Sequence, residues 1–99
     1  MTKADLKGAL LELCADDYYR VWELYWNYQG LSGTKDVDDE MFIATLQELA
    51  AAKKILPYDK NKYTNEFART NLDLERLRSE LGEVRSGNVR EGLYWFSYA

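Results

Sequence analysis

The chain has 99 residues, of which 46% are hydrophobic and 14% aromatic, with one proline, one cysteine, no histidine and a net charge of −4. That length makes one domain with one core and leaves no room for a second, and the scarcity of proline and glycine excludes a disordered or linker-like chain. A lone cysteine, Cys14, excludes an intrachain disulfide and favours a reducing compartment. Met1-Thr2-Lys3-Ala4-Asp5 lacks the basic-then-apolar run of a signal peptide. No apolar stretch approaches the roughly 20 residues that span a bilayer, so a cytoplasmic protein with no membrane partner is expected. Charge is uneven: residues 1–52 carry ten acids and four bases (−6), residues 53–99 seven acids and nine bases (+2). This polarity suggests an acidic surface for a basic partner and opposes a nucleic-acid binder that is basic throughout.

Thr2 and Asp5 have capping-box spacing and open a helix through about Cys14, with Leu6, Leu10, Leu13 and Cys14 as its apolar stripe. Asp16 and Asp17 start a second helix to about Gln29. Tyr18, Val21, Trp22, Tyr25 and Tyr28 share one face, and Tyr19, Leu24 and Trp26 occupy much of the rest. A helix this apolar is central in a core or shared with a partner. Gly30 suits its C-terminal end, with Leu31 to Thr34 as a loop. Asp36, Asp38, Asp39 and Glu40 favour the start of a third helix through the dipole, with Phe42, Leu46, Leu49 and Ala50 as its stripe and Lys53 and Lys54 at its C-terminal end. Ile55 to Tyr58 reads as a short strand, and Pro57 would confine it to an edge or a strand end. Asp59 to Lys62 reads as a turn, and Tyr63 opens a second strand. Thr70 with Asp73 repeats the capping-box spacing before a helix that buries Leu74, Leu77, Leu81 and Val84 and ends at Ser86-Gly87-Asn88. Leu93 to Tyr98 consists mainly of β-formers and reads as a strand buried on both faces. The expected fold is α+β: one helix-rich domain of about four helices with a two- or three-stranded antiparallel sheet.

The absence of histidine removes the commonest general base and the commonest metal ligand, and no serine or cysteine stands in a nucleophile–base spacing. Cys14 ends an apolar stripe and reads as a small buried hydrophobe. Counted as a calcium loop from Asp36, the sixth and twelfth positions are Met41 and Gln47 where glycine and glutamate are needed. No phosphate-cradling glycine motif occurs. These residues predict a protein that is not an enzyme and carries no cofactor, catalytic residue or metal site.

Three surfaces remain as candidate binding sites. The acidic run Asp36, Asp38, Asp39 and Glu40 would meet a basic protein such as a toxin or nuclease. Tyr18, Tyr19, Trp26 and Tyr28 are of the types that dominate interface hot spots; the same helix could equally join copies of the chain. Lys53, Lys54, Lys60 and Lys62, with Tyr58 and Tyr63 between them, follow a helix and line a hairpin, similar to the helix-then-wing arrangement of winged-helix DNA binders.

The order of motifs resembles a small uncharacterised bacterial family that includes immunity (toxin-neutralising) proteins. The resemblance lies in Tyr18-Tyr19-Arg20-Val21-Trp22-Glu23-Leu24, in Phe42-Ile43-Ala44-Thr45-Leu46-Gln47-Glu48-Leu49 with Lys54-Ile55-Leu56, and in Gly92-Leu93-Tyr94-Trp95-Phe96. It implies a compact α+β domain that occludes a toxin and has no catalytic residues. The expected function is therefore a protein-binding module of the immunity or inhibitor type. Its alternatives are a winged-helix-like nucleic-acid binder and a structural homo-oligomer.

Overall fold

The computed structural model describes residues 2–61, 63–87 and 94–98. Helix α1 (Lys3–Asp16) opens with the expected capping box: the Asp5 N–H donates to Thr2 Oγ1 at 3.2 Å and the Thr2 N–H to Asp5 Oδ2 at 3.0 Å. Leu6, Leu10 and Cys14 are buried, and Leu13 packs against them half-exposed.

The second helix begins later than its capping aspartates suggest. Tyr19–Arg20 form a short strand, β1, and α2 runs Val21–Ser32. Tyr19 and Arg20 pair with Phe96 and Trp95, so a distant strand claims residues whose local pattern continues a helix. Gly30 lies inside α2. The residue that leaves the helix is Gly33, at φ +71°, a left-handed conformation that glycine adopts without a Cβ clash. The buried face of α2 is Val21, Leu24, Tyr25 and Tyr28, while Trp22 is half-exposed and Trp26 exposed.

Helix α3 (Asp39–Ala51) is capped by Asp38, whose carboxylate accepts the Met41 N–H at 3.1 Å. It stops short of Lys53 and Lys54. Lys53 turns left-handed at φ +57°, and the Lys53 and Lys54 N–H groups bond back to Ala50 and Leu49, a Schellman closure formed without glycine.

Strand β2 (Ile55–Lys60) is longer than expected and takes in Asp59 and Lys60, which the sequence places in a turn. The turn is at 61–66, where Asn61 Oδ1 accepts the N–H groups of Tyr63 and Thr64, so Tyr63 starts no strand. Strand β3 is Phe67–Arg69. Helix α4 (Leu74–Arg85) is capped by Asp73 itself, which accepts the N–H groups of Glu75 and Arg76. Thr70 instead extends the hairpin by donating its N–H to the Pro57 carbonyl. Leu77 and Leu81 are buried, and Leu74 and Val84 flank them half-exposed. Strand β4 (Tyr94–Tyr98) closes the fold; Asn88 and Leu93, parts of two sequence expectations, lie outside the described residues.

The sheet has four antiparallel strands in the order β1-β4-β2-β3, one more than the sequence suggests. Pro57 thus sits in an interior strand, not on an edge. Its carbonyl points towards β3, as the bond from Thr70 shows, so its missing N–H also faces that side. The single ladder bond it forgoes is the return bond to the Thr70 carbonyl, just past the end of β3 at Arg69, so the loss falls where the pairing stops.

Alternation along the strands sorts side chains onto two faces. Tyr19, Ile55, Tyr94 and Phe96 point to the helices and join one hydrophobic cluster with Leu6, Leu24, Phe42, Leu46 and Leu77. Residues of all four helices join this cluster, while α2 also borders the other face through Trp22, which shares Arg20 with Trp95. Tyr94 also fixes the start of α4: its hydroxyl donates to the Asn71 carbonyl at 3.1 Å and accepts the Asp73 N–H at 2.9 Å. No helix among the described residues is long and apolar enough to cross a membrane.

Candidate binding surfaces

The acidic run has internal partners. Asp39 receives Arg85 through two hydrogen bonds of 2.5 and 2.8 Å, and Tyr25 Oη donates to it at 2.5 Å. Burial opposes ionisation of Asp39, but these donors outweigh it and hold the carboxyl below its ordinary range. Asp39 in turn drives Arg85 upward, while burial together with the Asp39 bond pushes the Tyr25 phenol up to about 12. Glu40 is bidentate with Arg78. Asp38 caps α3, and Asp36 is exposed in the preceding loop. The run therefore clamps α4 onto the start of α3: Asp36 and Asp38 present charge outward with no ion pair among the described residues, and Glu40 is exposed but paired.

The four candidate aromatics separate. Tyr28 is buried at 3% exposure, stacked on Phe42, and is a core residue, not a contact residue. Tyr19 is half-buried and packs against the core. Trp26 is 47% exposed, with Leu31 at 55%, and they share a shallow surface with Asn27 and Gly30 on the outer side of α2. Tyr18 precedes β1 and stacks on Phe67 with centroids 4.0 Å apart.

Tyr18 and Trp26 are opposite ends of a ribbon that the sequence does not reveal as a unit. Trp26 meets Trp22 at 4.7 Å between ring centroids. The Arg20 guanidinium lies 4.8 Å from the ring centres of both Trp22 and Trp95. Trp95 meets Phe67 at 5.3 Å, and Tyr18 bridges Phe67 and Tyr58. Lys60 Nζ stands over Trp95 at 4.8 Å and over Phe67 at 5.5 Å. The strand residues of the ribbon are the outward partners of the alternation: Arg20 opposite Trp95, Trp95 opposite Tyr58, Tyr58 opposite Arg69, and Lys60 opposite Phe67. The indole N–H groups of Trp22 and Trp95 are covered and have no acceptor among the described residues. The sequence signal for this face was the period-two spacing of Tyr58 with Lys60 and of Phe67 with Arg69, which is too short in each strand to stand out.

Of the lysine set, Lys53 and Lys54 are exposed at the end of α3, Lys60 lies on the ribbon, and Lys62 is outside the described residues. Lys53 and Arg69 flank a groove of about 430 Å³ floored by Leu56, Pro57, Leu72 and Leu74. The hairpin after α3 does exist, but β2 is tied to β4 along its other side, so it is part of the sheet and not a projecting wing. The exposed residues of α3 include Glu40, Gln47 and Glu48, without a base among them, which does not suit a helix read against DNA.

Cys14 is buried at 1% exposure, and burial pushes its thiol up to about 12, the reverse of what a nucleophilic cysteine needs. Compared with known proteins, the chain matches no family model, no curated protein and no solved structure.

Proposed function

We propose that this domain is a non-catalytic protein-binding module of the inhibitor type, which acts by covering its partner. The observation that carries this reading is the exposed pair Trp26 and Leu31 on the outer side of α2. A fully helical, rigid backbone presents both, and tryptophan in such a setting is a typical interface anchor. Beside them a hollow of about 780 Å³ between α2 and α4 is lined by Trp26, Gln29, Gly33, Thr34 and Lys35. Asp36 follows directly in the loop that Gln29 ties down through the Lys35 carbonyl. The resemblance to immunity proteins supports a toxin or nuclease as partner. The aromatic stripe, with Asp36 at its border, is the better contact surface than the acidic run as a whole, because Asp39 and Glu40 are engaged within the chain.

Capture from host lysate with the wild type and with Trp26→Ala/Leu31→Ser tests the proposal. A partner retained by the wild type and weakened roughly thirtyfold or more in the variant, the loss of a hot spot of about 2 kcal/mol, is the expected result. Equal retention by both proteins would overturn it. Light scattering at high concentration addresses the homo-oligomer: a dimer lost in the same variant would assign the stripe to a second copy of the chain.

A further inference from the structure

The sheet face turned away from the helices has a composition unlike the rest of the molecule. Its outward strand positions are Arg20, Leu56, Tyr58, Lys60, Phe67, Arg69, Trp95 and Ser97, with no carboxylate among them. Two nearby acids bond to this layer: Glu23 is held by Arg20 at 3.0 Å, and Asp17 accepts the Tyr18 N–H at 2.7 Å. Asp59, on β2, points to the other face and pairs with Arg76. The carboxylates behind the net charge of −4 include Asp39, Glu40 and Glu48, which are paired with Arg85, Arg78 and the two lysines Lys3 and Lys7 on the helical side. Lys53 and Arg69, by contrast, are exposed and have no ion pair among the described residues, and the Lys60 ammonium stands over the Phe67 and Trp95 rings.

We propose that this face binds single-stranded nucleic acid, with Lys53, Lys60 and Arg69 taking backbone phosphates and the half-exposed rings of Tyr18, Tyr58 and Phe67 taking bases. An uncovered sheet whose rings alternate with cations is the arrangement that lets a flexible strand stack its bases while its phosphates are neutralised. Lys53 and Arg69 line the groove between the end of α3 and the β2–β3 hairpin, which meets the edge of this face at Leu56. The unpaired indole N–H groups of Trp22 and Trp95 lie in the same layer and are donors for a phosphate or a base carbonyl once the overlying side chains shift. A duplex does not fit the same chemistry, because its bases are already stacked on one another and leave no free faces for the rings. This surface adjoins the Trp26–Leu31 stripe through the Trp22–Trp26 contact, but it does not rest on the protein-binding reading.

Titration with oligo(dT) of about 12 nucleotides, followed by tryptophan fluorescence at low salt, tests the proposal. Binding should quench the fluorescence, and log K should fall with log salt at a slope of about −2, as expected for three phosphate contacts at roughly 0.7 each. Lys60→Gln/Arg69→Gln should weaken binding about tenfold or more and flatten the slope. Tyr18→Ser should weaken binding and leave the slope unchanged, since stacking releases no counterions. Leu31→Ser alone, which lies outside the ribbon, should bind as the wild type does, which separates this surface from the protein contact. Circular dichroism establishes that each variant is folded, and the milder Arg69→Gln alone serves if the pair is not. Absence of quenching and of gel retention at low salt would overturn the proposal. So would equal affinity in the charge variant, or competition by polyglutamate as effective as that by oligo(dT), which would mark a surface for acidic proteins.

Discussion

Arg85 on α4 holds Asp39 on α3 through two hydrogen bonds and extends a third, at 3.0 Å, to the Val37 carbonyl. With Tyr25 donating to the same carboxylate, the start of α3, the middle of α2 and the end of α4 meet at one acid. Arg85→Met should cost about 1–3 kcal/mol in urea unfolding, because a half-buried carboxylate is left with one donor in place of three. Since the folded pKa of Asp39 is lowered, this contribution is present above its ordinary value of 3.8 and is lost as pH falls through the lower folded value. The gap between the two proteins should therefore close in acid. A gap independent of pH would show that Arg85 acts through packing alone.

Glu80 has the opposite sign. Burial, opposed by Arg76 and reinforced by Asp59, pushes its carboxyl up from 4.5 to about 7, and one of its oxygens has no partner. The stability it contributes is full below 4.5 and lost as pH rises through about 7. Glu80→Gln should thus unfold near the wild-type midpoint at pH about 5 and be more stable by about 1–3 kcal/mol at pH about 8. Equal midpoints at both pH values would mean that Glu80 is solvated.

Lys53 occupies a left-handed position that ordinarily costs an L-residue about 1–2 kcal/mol. Lys53→Gly should raise stability by roughly 0.5–1 kcal/mol, the relief of the Cβ clash less the added freedom of the unfolded chain. Chemical denaturation measures this directly, and a destabilised variant would show that the lysine side chain packs productively in the groove beside Arg69.

These cases show which parts of the molecule the sequence makes legible. The capping box at Thr2, the apolar stripes of α1 and α3 and the aromatic closing strand are local signals, and each element forms where its pattern lies. Local signals fail where a distant partner decides. Tyr19 and Arg20 read as helix until β4 pairs with them, and Pro57 reads as an edge until the short β3 ends beside it, so that only one bond is forgone. The acidic run was visible as charge, but its use was not, because Arg78 and Arg85 lie far along the chain. The ribbon draws one or two residues from each of five elements, none of which has a long enough alternation to announce a shared face.

Cys14 offers a check on the core. With its thiol buried and pushed up to about 12, labelling by a thiol reagent at neutral pH should be limited by opening of the fold. Its rate should rise with denaturant in step with loss of helical signal. Rapid labelling of the native protein would place Cys14 at the surface, contrary to the packing of α1.

The most direct test of where recognition takes place is a nitrogen–proton NMR titration of the labelled domain with oligo(dT). The face opposite the helices predicts shifts at Arg20, Tyr58, Lys60, Phe67 and Arg69 and at the indole signals of Trp22 and Trp95, with Glu40, Gln47 and Glu48 on α3 unmoved. Shifts confined to α3, or an unchanged spectrum at saturating oligonucleotide and low salt, would contradict the account.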